Sequence, residues 1–286
     1  MKLFSKLLAR KPSWQYQAGG AVWKLLCAEN ILLGDTRDVK NHTASFFALD
    51  VKTGGTLWKD VTLPQAWWIG MQCVIGDTLL LHGFEKPDMP IPKGMYAVDV
   101  RTGAVRWSDP TLTYLFTINN RIYAWRASLH EKLFYEIDPI TGEVIYDYGS
   151  NEEGIMQLRS VAPPPPEEPG YVFAESLHTR NETLQTLVLK SIDLTGARGA
   201  VDVAESNSVI IVAWHEPVRG PQAMLNNVVS CRLNILSPDG AILYEDTLVD
   251  EAPSPVPDVF FVKDDVLLYV KDSSRVTGLR LADLKP

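Results

Sequence analysis

The fold is decided by two stretches that lie over one another, Phe47-Ala-Leu-Asp-Val-Lys-Thr-Gly-Gly-Thr-Leu-Trp58 and Tyr96-Ala-Val-Asp-Val-Arg-Thr-Gly-Ala-Val-Arg-Trp107. A third copy runs Tyr135-Glu-Ile-Asp-Pro-Ile-Thr-Gly-Glu-Val-Ile-Tyr146. Each has an alternating run, an Asp, two residues, Thr-Gly, and an aromatic five positions after the Thr. Alternation of side chains marks strands, and Thr-Gly between two such runs marks a tight hairpin, because Gly accepts positive φ. A large aromatic in the following strand suits the gap between packed sheets. A fourth copy, residues 189–200, is degenerate: Asp193 sits one position closer to Thr195, and Ala200 stands where the aromatic should be. A fifth, residues 234–244, turns on Pro238-Asp239-Gly240 and keeps Tyr244.

The turns at Thr53, Thr102, Thr141, Thr195 and Asp239 recur about every 47 residues, a period belonging to repeat architectures. Earlier hairpins in the units read 74–81, 117–125 and 262–270, turning on Gly76-Asp77, Asn119-Asn120 and Asp264-Asp265. Four short strands per unit, repeated about six times, predict an all-β chain folded as a single β-propeller over residues 1–286. Residues 149–210 leave room for a short seventh blade. The last unit lacks its final strand, and residues 11–18, carrying Trp14 and Tyr16, supply one, so the N-terminal strand is expected to close the last blade and remove an open edge. No segment beyond residue 10 shows sustained helical periodicity. The proline run 163–166 reads as a surface insertion in the fourth unit.

The stretches Ala48–Trp58 and Ala97–Trp107 resemble the repeat of quinoprotein-type (pyrroloquinoline-quinone-like) β-propellers. The resemblance implies that fold. Catalytic members of that family are longer, usually eight-bladed, and carry an adjacent cysteine pair. Cys27, Cys73 and Cys231 are far apart, so the chain resembles the non-catalytic or uncharacterised bacterial members more.

The formal net charge is −8, and 46% of residues are apolar. That composition excludes a disordered chain and argues against a nucleic-acid partner, which needs a basic face. Three sparse cysteines are no disulfide framework and read as buried thiols. No stretch approaches a membrane span. Residues 1–10 are basic, but their apolar residues are broken by Ser5 and Lys6, so no signal peptide is read and a cytoplasmic location is expected. A weak membrane-surface contact through residues 1–11 stands beside a packed helix or a frayed end.

All five histidines, His42, His82, His130, His178 and His215, fall at or just beyond the ends of the second strands. In a propeller these ends and the joining loops share one rim. The rim is expected to carry Asp35, Trp67, Trp68, His82, Trp125, Arg126, Glu175, Trp214, His215 and Lys271. Aromatic, imidazole, guanidinium and carboxylate groups together suit a polar ligand or a protein partner. Each histidine alone also reads as a loop-packing residue, and Trp67-Trp68 reads either as a stacking platform or as packing between blades. No His-x-His or His-x₃-His spacing points to a metal, no nucleophile elbow or phosphate loop is present, and no cofactor is expected. The expected function is therefore non-catalytic binding of a protein or a small polar ligand at this rim. The alternative is an enzyme, or a metal- or quinone-binding propeller, using the same His, Arg and Glu groups.

Overall fold

The computed structural model describes residues 10–86, 89–161, 170–218 and 228–284. The basic segment 1–9, the proline run and part of the long 213–228 loop lie outside the described residues. The chain is all-β in character, with five antiparallel sheets in two compact units.

One unit, residues 19–51 and 55–161, holds three four-stranded meanders. The first comprises β2 (Ala21–Ala28), β3 (Ile31–Asp38), β4 (Thr43–Asp50) and β5 (Thr56–Val61). The second comprises β6 (Ile69–Ile75), β7 (Thr78–Lys86), β8 (Met89–Asp99) and β9 (Val105–Asp109). The third comprises β10 (Leu112–Ile118), β11 (Arg121–Ala127), β12 (Lys132–Ile137) and β13 (Val144–Gly149), followed by helix α1 (Glu152–Val161). Neighbours in sequence are neighbours in each sheet, so every connection is a short hairpin. The second strands are the most apolar, and Leu33, Leu79, Leu81 and Ile122 are fully buried.

The repeat motif has a direct physical content. Asp99 Oδ1 accepts from the amides of Arg101 (3.0 Å) and Thr102 (2.8 Å), and Asp138 Oδ1 does the same for Ile140 (2.8 Å) and Thr141 (3.0 Å). These amides hold the Asp138 carboxyl below its usual range. Gly103 (φ +73°) and Gly142 (φ +75°) then turn the chain in the left-handed region. Their missing Cβ matters a second time. A Cβ on Gly103 would lie 2.8 Å from the Trp58 ring of the preceding sheet, and one on Gly142 would lie 2.7 Å from Trp107. Trp58 Nε1 donates to Val100 O (2.8 Å) and Trp107 Nε1 to Pro139 O (3.0 Å). The aromatic of one sheet thus docks on the Thr-Gly turn of the next.

The other unit, containing residues 10–18, 52–54 and 170–284, holds two five-stranded sheets. One runs β15 (Glu175–Ser176), β16 (Arg198–Ser206), β17 (Val209–Pro217), β18 (Val229–Leu236) and β19 (Ile242–Ala252). The other has the order β1 (Trp14–Gln17), β22 (Arg275–Arg280), β21 (Val266–Lys271), β20 (Phe260–Lys263) and β14 (Tyr171–Phe173). The N-terminal strand therefore joins the last sheet as expected, with Trp14 opposite Gly278. A Cβ on Gly278 or Gly54 would meet the Trp14 indole at 2.1 or 2.5 Å.

Five sheets, not six, are present among the described residues. The expected fourth unit is replaced by α1, by the short strands β14 and β15, and by helix α2 (Glu182–Ser191). The degenerate copy 189–200 begins in the last turn of α2, and Asp193 only caps a local turn onto Thr195. The expectation of no helix after residue 10 is corrected for a clear reason. Asn181 Oδ1 accepts from Leu184 N (2.9 Å) as an N-cap, Glu182 opens the first turn and Lys190 closes the last. Leu184 and Val188, one turn apart, are buried against Val212, Trp214 and Leu236. In α1, Asn151 likewise caps Gly154 (3.0 Å), and Ile155 is buried against Phe116, Tyr123 and Phe134.

Candidate functional site

Hairpin register lines up the second strands of the sheets. Each begins at the residue paired across its turn: Ile31, Thr78, Arg121, Val209 and Val266. Counting from there, Asp35, His82 and Trp125 are all fifth residues, Arg126, Trp214 and Lys271 are sixth, and Arg37, Phe84 and His215 are seventh. Those of the expected residues that lie on second strands thus fall at the fifth to seventh positions, but their environments divide them sharply.

Four of the expected residues, Asp35, Trp67, Trp68 and His82, gather where the first sheet meets the second. Asp35 and Arg37 lie on one face of β3, only 2% and 5% exposed, and pair at 2.8 Å through Oδ2 and Nη2. The Arg37 guanidinium reaches over to the second sheet, donating to the carbonyls of Trp67 and Ile69. Its carbon lies 4.9 Å from the centroid of Trp23 and 5.6 Å from that of Trp67. Lys24 Nζ donates to Met71 O at 2.9 Å. His82 is opposite Gly70, the residue after the Ile69 carbonyl that Arg37 holds, and packs edge-on against Phe84 (5.0 Å). Phe84 in turn meets Trp68 edge-on (6.4 Å). Trp23 and Trp68 are exposed at the margin, and Trp67 stands between Trp23 (6.1 Å) and His42 (5.3 Å).

Three buried polar atoms here have no hydrogen-bond partner: Asp35 Oδ1, Arg37 Nε and His82 Nδ1. An unpaired buried polar atom costs about 1–3 kcal/mol, so three together are unusual. Burial pushes the Asp35 carboxyl up to about 6, against the pull of Arg37 and Lys24. Burial, with the positive charges of Lys24 and Arg37, holds the His82 imidazole below its ordinary value and hence neutral at pH 7.

The other expected residues are spent on structure. Arg126 pairs with Asp109 (2.7 Å) and donates to Thr111 Oγ1 (2.7 Å), bracing the turn before β10. Trp125 packs beside Phe134 and Ile155 with Lys132 over its ring at 5.0 Å. Glu175 pairs with Arg180 (3.0 Å), which also holds Glu205 (2.7 Å). Trp214 is a correction: it points into the core against Leu177, Leu184 and Val212, not onto a rim. His215 is buried too; its Nε2 accepts from Val256 N (3.1 Å), and burial lowers its pKa. Lys271 binds Asp246 at 2.5 Å, which also accepts from Tyr244 and Tyr269. Of the histidines, His82 and His215 lie within strands, while His130 is exposed and His178 bonds Ser176 Oγ (2.6 Å). Sequence reasoning missed Lys24, Arg37 and Trp23. Arg37 was readable from Asp35, since i and i+2 share a strand face.

Among the described residues no group of three or more His, Cys, Asp or Glu side chains is arranged to hold a metal. A surface groove of about 680 Å³ opens beside the start of α2, lined by Asn181, Leu187, Glu205, Ser208 and Pro238; none of the expected rim residues lines it.

The family described as "Domain of unknown function (DUF4905)" matches residues 27–107, which are most of the first two sheets and include Asp35, Arg37 and His82. No curated protein matches the sequence. Among solved structures, BamB from Moraxella catarrhalis is similar at 13% identity and a TM-score of 0.35, over 93% of this chain and 85% of that one. The β-propeller domain of the Trilobed protease from Pyrococcus furiosus is similar at 8% identity and a TM-score of 0.31, over 90% of this chain and 65% of that one. The Dos1 propeller is similar at 10% identity and a TM-score of 0.31, over 90% and 67%. No helix among the described residues is long and apolar enough to cross a membrane.

Proposed function

We propose that the five sheets are blades of a β-propeller of the quinoprotein-like repeat class, closed by β1, and that the protein is a non-catalytic binding module. Its ligand is a small polar molecule held where the first and second sheets meet, at Asp35, Arg37 and His82. The propeller reading is supported by successive meanders joined through the same tryptophan-on-glycine contact, and by Trp14 repeating that contact on Gly54. Free thiols at Cys73 and Cys231 fit the reducing cytoplasm.

The observation that carries the binding site is the set of three unpartnered buried polar atoms, with the exposed Trp23 indole stacked over the Arg37 guanidinium. Polar groups elsewhere on the equivalent strands are paired off. Here the residues keep unused valence at a high cost, in a place where pKa values are shifted, which is the physical signature of a site and not of a scaffold. The test is a thermal-shift screen of sugars, amino acids, carboxylates and phosphates, run in parallel on the native chain and on the Trp68→Ala and His82→Asn variants. At least one compound class is expected to raise the native melting temperature and to lose that effect in both variants. No stabilising compound, or stabilisation equal in all three proteins, would refute the assignment.

A further inference from the structure

We propose that the ligand of this site is a neutral polyhydroxylated molecule, a sugar, bound with its hydroxyls on Asp35, Arg37 and His82 and its carbon face on the marginal indoles. The inference rests on the reading of this place as a binding site and names the chemistry that site selects.

The argument starts from what each group has left to give. Two cations stand here, and both are already engaged by the protein. Lys24 is committed to the Met71 carbonyl, and both terminal nitrogens of Arg37 are committed to Trp67 O, Ile69 O and Asp35 Oδ2. An anion would also meet the Asp35 carboxylate. The atoms left with no partner at all are the Arg37 Nε–H donor, the Asp35 Oδ1 acceptor and the His82 Nδ1 ring nitrogen. A hydroxyl both donates and accepts, so a pair of adjacent hydroxyls answers a donor beside an acceptor with no charge to neutralise. An ionised carboxylate only accepts and leaves Asp35 Oδ1 unanswered. A primary ammonium only donates and leaves Arg37 Nε unanswered.

The margin agrees with this. Trp23 is 63% exposed and Trp68 40% exposed, so each offers indole surface to solvent beside a buried polar floor. A pyranose carries C–H bonds on its faces and hydroxyls around its edge, and that combination takes up flat aromatic surface and polar groups at once. Trp67 and Trp68 lie in the connection between β5 and β6, outside the paired strands, so these two rings sit on the part of the site best able to yield to an entering ligand.

The test uses the full chain labelled with 5-fluorotryptophan, its fluorine resonances assigned through single Trp→Phe variants. Maltotriose, cellotriose and chitotriose are titrated as neutral probes, with citrate and inorganic phosphate as anionic ones. At least one trisaccharide is expected to move the Trp23 or Trp68 resonance saturably, with affinity at least tenfold weaker in Asp35→Asn and in Trp68→Ala. Because Trp68 is exposed, the second variant leaves folding intact if the first does not. If citrate or phosphate moves these resonances and no trisaccharide does, the sugar assignment fails while the binding site stands. If no probe moves them, both fail. Trisaccharide binding undiminished in Trp68→Ala also overturns the proposal.

Discussion

The Thr-Gly turn should resist even the smallest side chain, and by an amount that separates backbone strain from indole docking. Gly76 and Gly103 both lie in the left-handed region, at φ +54° and +73°. Replacing either by Ala costs about 1–2 kcal/mol for that backbone conformation. At Gly76 nothing lies within 4 Å of the new Cβ, so the cost ends there. At Gly103 the Cβ falls 2.8 Å from Trp58 Cδ2 and 3.0 Å from Cε3, so the buried indole must move. Its 2.8 Å bond to the Val100 carbonyl goes with it, adding about 0.5–1.5 kcal/mol plus a comparable loss of packing. Gly103→Ala should therefore destabilise by about 2–5 kcal/mol and Gly76→Ala by about 1–2. Urea unfolding followed by tryptophan fluorescence measures both, with unchanged slopes confirming that only stability moved. In a Trp58→Ala background the excess at Gly103 should vanish, leaving the Gly76 value. Equal costs for the two alanines in the native background, or an excess that survives without Trp58, would refute tryptophan docking as the reason for the glycine.

Asp35 makes stability depend on pH in a definite direction. Its carboxyl is raised from 3.8 to about 6, so the fold takes up a proton between those values, and its contribution is lost as pH rises through that window. The stability of the native chain relative to Asp35→Asn should fall by up to about 3 kcal/mol from pH 4 to pH 6 and stay level above; a flat difference would contradict the burial of that carboxyl. His215→Ala strips the Val256 amide of its acceptor and should cost about 1–3 kcal/mol by urea unfolding without weakening ligand binding at His82. Trp214→Ala opens the core under α2 and should cost about 3–5 kcal/mol, whereas Arg126→Ala, losing a partly exposed pair, should cost under about 1 kcal/mol. Calorimetric melting of the two variants checks that order.

The fold was legible where one residue performs one physical task at a fixed spacing. Asp99, Gly103 and Trp107 each answer to a turn amide, a positive φ or a neighbouring turn, so three copies sufficed to find three hairpins, and the pairing of Trp14 with the last strand followed. The fourth copy misled because Asp193 bonds Thr195 as in the repeat, yet Gly196 does not take the left-handed conformation and the turn joins α2 to β16 instead of two strands. A helix runs into its start instead, specified by the Asn181 cap and by Leu184 and Val188 one turn apart, a signal too short to stand out as sustained periodicity.

The candidate site was legible by position and illegible by type. The first four residues of each second strand are mostly apolar and make the core, so polar and charged side chains are displaced to residues five through seven. At those positions the same residue types serve opposite ends. Lys271 neutralises Asp246, His215 accepts one amide and Arg126 braces one turn, and none of them leaves a buried polar atom without a partner. Asp35, Arg37 and His82 are buried at least as expensively, and each retains an atom with nothing to bond. What distinguishes a ligand position from a structural one is therefore the hydrogen-bonding capacity left over after folding. That quantity depends on which carbonyls and amides the neighbouring sheet brings within reach. Arg37 shows why no reading of β3 alone contains it: two of its partners, Trp67 O and Ile69 O, come from the next sheet and the connection leading into it, and they engage both terminal nitrogens while Nε is left with no partner.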